Sequence, residues 1–201
     1  SEGLGMPKEE FPVIYNGVDF GSIEAASDDK EVEAVLEELG IKPSDSVIGS
    51  IFRIVEEKDP KLWIDVAEEV IGKRPNTHFI VVGGGVQLDI MRERVAGMDL
   101  DDKIHLIGQS KDVASWLKRF DLFFLTSKVE GLPNVIIEAQ GFGVPVISTD
   151  AGGCKETFLD GETGTLADGR DRDGLVQDIM WWLNRDDDDL SIASNKSMKN
   201  A

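Results

Sequence analysis

One cysteine, Cys154, stands alone among 201 residues. With no partner in the chain an internal disulfide is excluded, and a reducing, cytoplasmic setting is expected. Positive charge is scarce too: 21 Lys and Arg face 39 Asp and Glu, a net charge of −18. Nucleic-acid binding needs a basic face and anionic membranes attract cations, so neither partner is expected. No apolar run approaches the ~20 residues that span a bilayer. No signal peptide is read at the start. Ser1-Glu2-Gly3-Leu4-Gly5 lacks a start methionine and reads as a processed end or an excised fragment, with residues 1–12 as a linker. The two histidines, His78 and His105, each fall inside an expected strand. Neither has metal-ligand neighbours at a useful spacing, so structural histidines are expected and no metal.

At 41% hydrophobic content the chain can bury a sizeable core, and its length suits one domain, 1–201. Apolar strand-like runs alternate with helix-like segments. Expected strands are 11–15, 46–52, 77–82, 103–107, 122–125, 144–148 and 163–166. Expected helices lie within 22–39, then at 60–71, 87–97, 112–120, 134–142 and 171–183, with a short one after Gly152-Gly153. The polar tail 185–201, with its run Asp186 to Asp189, is expected to fray. Continuous apolar strands separated by helices indicate a doubly wound, mostly parallel α/β sheet of Rossmann-like type, with six or seven strands. Ligands in such sheets bind beyond the carboxyl ends of the strands. The glycine turns and the charged residues of interest follow strand ends: Arg53, Gly83 to Gly85, Gly108, Glu130 and Gly152-Gly153.

The stretch Leu122 to Ala139 organises the rest. A buried strand runs into Gly131 and Pro133, which open a helix. Glu130 lies just before that helix. Glu138 lies inside it, one turn after Asn134. Its neighbours Val135, Ile136, Ile137 and Ala139 make that helix largely buried, and a carboxylate there is costly without a hydrogen-bonding partner. Two readings stay open: an acid/base pair of the glycoside-hydrolase kind, or for Glu138 an ion pair with some Lys or Arg. Arg53 and Lys58 follow an expected strand; they either clamp an anion or pair in solvent with Glu56 and Glu57. Gly83-Gly84-Gly85 is either a tight turn or a place where backbone approaches phosphate. The dinucleotide fingerprint Gly-x-Gly-x-x-Gly fails, because Leu88 stands where the third glycine belongs, which disfavours an oxidoreductase. Trp181 and Trp182 are expected to pack a late helix, the alternative being that one of them faces a missing domain. Cys154 has no base or oxyanion arrangement to make it a nucleophile.

Taken in order, Phe52-Arg53-Ile54-Val55-Glu56-Glu57-Lys58, Val82-Gly83-Gly84-Gly85, Glu130 with Glu138 after seven residues, Gly143-Val144-Pro145-Val146-Ile147 and Gly152-Gly153-Cys154-Lys155-Glu156 resemble the C-terminal, donor-binding domain of the retaining group-one glycosyltransferases with the GT-B fold. Asn16-Gly17-Val18-Asp19 resembles the motif that opens that domain. The resemblance covers about residues 13–184. It departs at Phe52, where many members carry Gly, and in the lack of an N-terminal acceptor domain. The resemblance implies one half of a GT-B protein, a transferase whose donor is a nucleotide diphosphate sugar, with no cofactor and no metal. It implies that Arg53 and Lys58 meet the diphosphate and that Glu130 lies near the donor sugar. Glu138 would accept hydrogen bonds from the ribose. Gly131, Leu132 and Asn134 would offer N–H groups at the helix start, Gly83 and Gly84 would line the site, and Ile107 would adjoin the base. It also implies a role in cell-surface glycan or polysaccharide synthesis, a parent protein at the inner membrane face, and a fragment inactive without its acceptor half. A nucleotide-binding regulatory module and a nucleotide-sugar epimerase domain are the alternatives.

Overall fold

A computed structural model describes residues 18–25 and 27–201. The expected strand at 11–15 and the Asn16-Gly17 half of the opening motif lie outside the described residues. Two short helices come first, α1 (Phe20–Ala25) and α2 (Asp29–Glu38). The chain then runs β1 (Ser46–Ile51), α3 (Pro60–Lys73), β2 (Thr77–Val82), α4 (Leu88–Ala96), β3 (Ile104–Gly108), α5 (Val113–Leu117) and β4 (Leu122–Leu125). It continues with α6 (Asn134–Gly141), β5 (Val146–Thr149), β6 (Gly164–Ala167), α7 (Arg172–Leu183) and α8 (Asp187–Asn200). Single 3-10 turns lie at Glu56–Lys58 and Cys154–Glu156.

All six strands are parallel, in the order β3-β2-β1-β4-β5-β6. Every residue of β2 and β4 is buried, as a strand covered on both faces must be. On one side α3 packs against α4 and α7. On the other, α5 packs against α1, α2 and α6, and α6 against α8. The order of strand addition reverses between β1 and β4, so the crevice at their carboxyl ends is the switch point at which such folds bind ligands. The fold is thus a doubly wound, Rossmann-like α/β sheet.

Local chemistry sets the helix starts. Asp59 caps α3, Asp112 caps α5 and Asp171 caps α7, each accepting from a backbone N–H of the first turn, which satisfies donors the helix itself leaves unpaired. Pro60 follows Asp59 at the start of α3, where its lack of an N–H costs nothing. Between the sheet and α3, the buried Trp63 meets Phe79 edge-on at 5.4 Å and donates Nε1–H to Ser50 Oγ at 2.7 Å. Of the late tryptophans, Trp182 is buried and donates to Thr165 Oγ1 at 2.9 Å, whereas Trp181 is exposed. The Arg185 guanidinium lies over both rings.

The expectation of a frayed tail at 185–201 is corrected by α8. Asp186 caps this helix, accepting from Asp189 N at 2.9 Å, and Asp187 to Asp189 occupy its first turn. There carboxylates are favoured by the helix dipole rather than repelled into solvent. Ala193 and Ser197 are buried on the side that packs on α6. Among the described residues no helix is long and apolar enough to cross a membrane.

Candidate functional site

Beyond Ile51 the chain stays extended, with Phe52 and Ile54 buried and Arg53 exposed between them. The period of two that sends Phe52 and Ile54 inward turns Arg53 outward. Phe52 N–H donates to the Val82 carbonyl at 3.2 Å and Ile54 N–H to that of Gly84 at 2.9 Å, so this segment lies along the glycine turn. Gly83 has φ +152°, and a Cβ there would overlap the Phe52 carbonyl. Packing of chain on chain therefore accounts for Gly83 without a ligand. Its N–H donates to the Gly108 carbonyl at 2.7 Å, which ties in the end of β3 and its neighbour Ile107. Ile107 and Gln109 line a cavity of about 550 Å³ with Val32, Val35 and Trp116.

Lys58 does not pair with Glu56 or Glu57. Its Nζ binds Glu130 Oε1 across the switch point, linking the loop after β1 to the loop after β4. Ser127 Oγ donates to the same carboxylate oxygen at 2.5 Å. Both charged side chains are largely buried, 19% exposed for Lys58 and 10% for Glu130. The loops are stitched a second time: Lys128 N–H donates to the Glu57 carbonyl at 2.7 Å, and Lys128 Nζ binds Glu56. Among the described residues the Arg53 side chain makes no ion pair. The reading that two solvent cations pair with Glu56 and Glu57 is thus corrected.

The loop carrying Glu130 rests on the turn after β5. Gly153 N–H donates to the Gly131 carbonyl at 2.8 Å. Gly152, at φ +58°, sits so close that a Cβ would overlap the Glu130 carbonyl. These glycines are required by the approach of two loops. Leu132 is half-buried, Pro133 is buried, and Asn134 begins α6 on the exposed side.

Glu138 differs from Glu130. It is half-buried on α6 and, among the described residues, its carboxylate has neither a hydrogen bond nor an ion pair. Burial alone pushes its pKa above the usual carboxylate range, because a low-polarity surrounding disfavours the charged form. The ion pair considered from the sequence is therefore not formed. One carboxylate is held through Oε1 by Lys58 and Ser127, and the other has no side-chain or backbone partner among the described residues.

The sequence reading missed three contributors. Arg170 lies just past β6 and reaches Asp59, Thr126 and Ser127. Asp59 caps α3 and also holds Arg170. Ser127, three residues before Glu130, had the only local signal. His78 and His105 lie away from this site on β2 and β3, stacked with Nδ1 of one 3.1 Å from Nε2 of the other. Cys154 is buried, and burial raises its thiol pKa. No cluster of three or more metal-ligating side chains forms among the described residues.

The chain is similar to the Vi polysaccharide biosynthesis protein VipC/TviE of Salmonella typhi, with 38% identity over 168 residues, 84% of this chain and 29% of that protein. It is similar in structure to the C-terminal domain of LpcC from Francisella tularensis, a glycosyl transferase group 1 family protein, at 25% identity and TM-score 0.73 over 91% of this chain and 95% of that domain. TarM of S. aureus, in a crystal complex with UDP, matches at 26% identity and TM-score 0.74 over 78% of this chain and 32% of TarM. The chain therefore spans less than a third of the Salmonella protein and of TarM. Its sheet is that of a GT-B glycosyltransferase half-domain. Residues 31–199 match the family model of the glycosyl transferases group 1, and this chain belongs to that family.

Proposed function

We propose that this chain is the donor-binding half of a retaining glycosyltransferase, one that takes a nucleotide diphosphate sugar in polysaccharide or surface-glycan synthesis. The observation that carries this reading is Glu138: a half-buried carboxylate, raised in pKa by burial and without a partner among the described residues. Partly shielded from water and bound by no other side chain, that carboxylate is free to accept hydrogen bonds from a ligand. Two vicinal ribose hydroxyls suit its two oxygens. The UDP held by the related TarM supports a nucleotide as the partner.

In this reading Arg53, exposed and unpaired, meets the diphosphate first, and the α6 start at Gly131, Leu132 and Asn134 adds N–H groups and the positive end of the helix dipole. Lys58 must share its charge between Glu130 and the arriving phosphates. Glu130, held by Lys58 and Ser127, stands beside the donor sugar. Gly83, Gly84 and Ile107 border the base. Leaving-group charge is met by these cations and the dipole, so the reaction needs no metal. The acceptor attacks from the face where the diphosphate departs and belongs to a domain outside this chain. The isolated chain therefore binds nucleotide weakly and does not turn over.

Calorimetry of this chain with UDP, GDP and ADP is the test. One of them is expected to bind, and Glu138→Gln is expected to fold normally and lose most of that affinity. A folded protein that binds none of the three, or a Glu138→Gln variant that binds as well as the wild type, would overturn the assignment.

A further inference from the structure

We infer that Arg170 is a positioning residue that sets the register of Lys58 against Glu130. Its guanidinium is a fork across the switch point. Nη2 donates to Asp59 Oδ2 at 2.5 Å and to the Thr126 carbonyl at 3.0 Å. Nη1 donates to the Ser127 carbonyl at 2.6 Å and lies 3.4 Å from Thr149 Oγ1. Thr149 Oγ1 itself donates to the same Ser127 carbonyl at 2.7 Å. One planar cation thus joins the loop after β1 to the end of β4, from the turn that follows β6. Arginine alone among side chains offers donors in a rigid fork of that span.

Each atom it holds is next to one that matters. Asp59 follows Lys58 directly and adopts φ +48°, a left-handed conformation that non-glycine residues rarely take. Its carboxylate is fixed by Arg170 and by capping α3 at Leu62 N, with Lys128 Nζ 4.0 Å away. The Lys58 carbonyl is held by Thr126 Oγ1 at 2.9 Å. The Ser127 carbonyl is held by Arg170, while the Ser127 hydroxyl holds Glu130. So the backbone on both sides of the Lys58–Glu130 contact is referenced to one guanidinium. Arg170 touches neither of that pair; it acts through their neighbours.

The functional weight of this inference rests on the donor-site reading, but the register itself is measured without nucleotide. The experiment is a double-mutant cycle, Lys58→Ala and Glu130→Ala, read by urea unfolding in the wild-type, Arg170→Lys and Arg170→Gln backgrounds. In the wild type the pair is expected to contribute about a tenfold coupling in the unfolding constant. In both Arg170 backgrounds that coupling is expected to fall below about twofold. A merely structural role for Arg170 lowers the stability of every member of the cycle alike and leaves the coupling intact, and that result overturns the inference. Arg170→Lys retains a cation for Asp59 and decides the matter if Arg170→Gln does not fold. UDP titration of the same proteins keeps the two ideas apart. If wild-type protein does not bind UDP while the coupling still collapses in Arg170→Lys, the positioning role stands and the donor-site reading falls.

Discussion

Acidification should destabilise this protein through its buried histidine pair, and the size of the effect follows from the structure. His78 and His105 are 3% and 5% exposed, with their facing nitrogens 3.1 Å apart. Lys103 Nζ lies 3.3 Å from His78 Nε2. The same His78 nitrogen lies 3.5 Å from Asp45 Oδ2, and across the facing nitrogens one ring donates and the other accepts, each in a neutral tautomer. Both rings are then neutral. A second proton would place two cations in contact in a poorly solvated site. Burial, followed by the charge of His78, lowers the pKa of His105 to about 4. Burial and Lys103 lower His78 too, against the opposing pull of Asp45. The unfolded chain binds the His105 proton near the ordinary value of ~6.5, while the folded one resists it until about pH 4. Stability is therefore present above pH ~6.5, is lost as pH falls between the two values, and changes no further below the folded one. The whole shift corresponds to roughly 3 kcal/mol, of which about 2 kcal/mol is lost between about pH 7 and pH 5. Urea unfolding followed by tryptophan fluorescence at those two pH values, for wild type and His105→Gln, measures this. Groups that do not touch the pair are common to both proteins and cancel; His78 does touch it, so the difference reads the pair rather than His105 alone. The wild type should lose about 2 kcal/mol more than the variant. Equal losses would refute the assignment of the pair as a neutral, buried unit.

Other outcomes can be checked with the same protein. Nucleotide affinity should decline as pH falls through the raised pKa of Glu138, at a higher pH than an ordinary carboxylate would show, because the ribose hydroxyls need the ionised form; a calorimetric profile that stays flat down through the ordinary carboxylate range contradicts this. Trp63→Ala should cost about 3–5 kcal/mol by chemical denaturation, since it empties the space between Phe79 and Phe124 and leaves Ser50 without its donor. Asp186→Ala should destabilise α8 by about 1 kcal/mol, seen as faster amide exchange over 187–200, and unchanged exchange counts against the cap. Gly152→Ala should displace the Glu130 loop, because φ +58° and the Glu130 carbonyl both oppose a methyl group there; a chemical-shift map with no change at residues 130–132 refutes it.

Much of the fold was legible from local pattern. The strands at 77–82 and 122–125 and the helices expected at 60–71, 112–120 and 171–183 follow from apolar runs and their breaks. These signals act over a few residues. The tail went the other way: 185–201 read as a segment that frays, and packing of α8 on α6 makes Asp186 a cap and Asp187 to Asp189 the first turn of a helix. The glycine turns were legible as turns but not in purpose. Gly83 and Gly152 are small because backbone from another loop passes over them, and no spacing in the chain announces that approach.

The sequence by itself determined the α/β alternation, the parallel sheet and the edge at which charged and glycine-rich loops gather, because periodicity and turn chemistry are properties of neighbouring residues. Tertiary structure alone decided which charges are spoken for. Lys58 finds Glu130 from 72 positions away, and Arg170 finds Asp59 from 111. His78 meets His105 because β2 and β3 are adjacent strands. Glu138 finds no partner among the described residues. Whether a carboxylate is satisfied depends on what lies within about 3 Å of it, and that distance is set by the closing of the sheet rather than by the order of the chain.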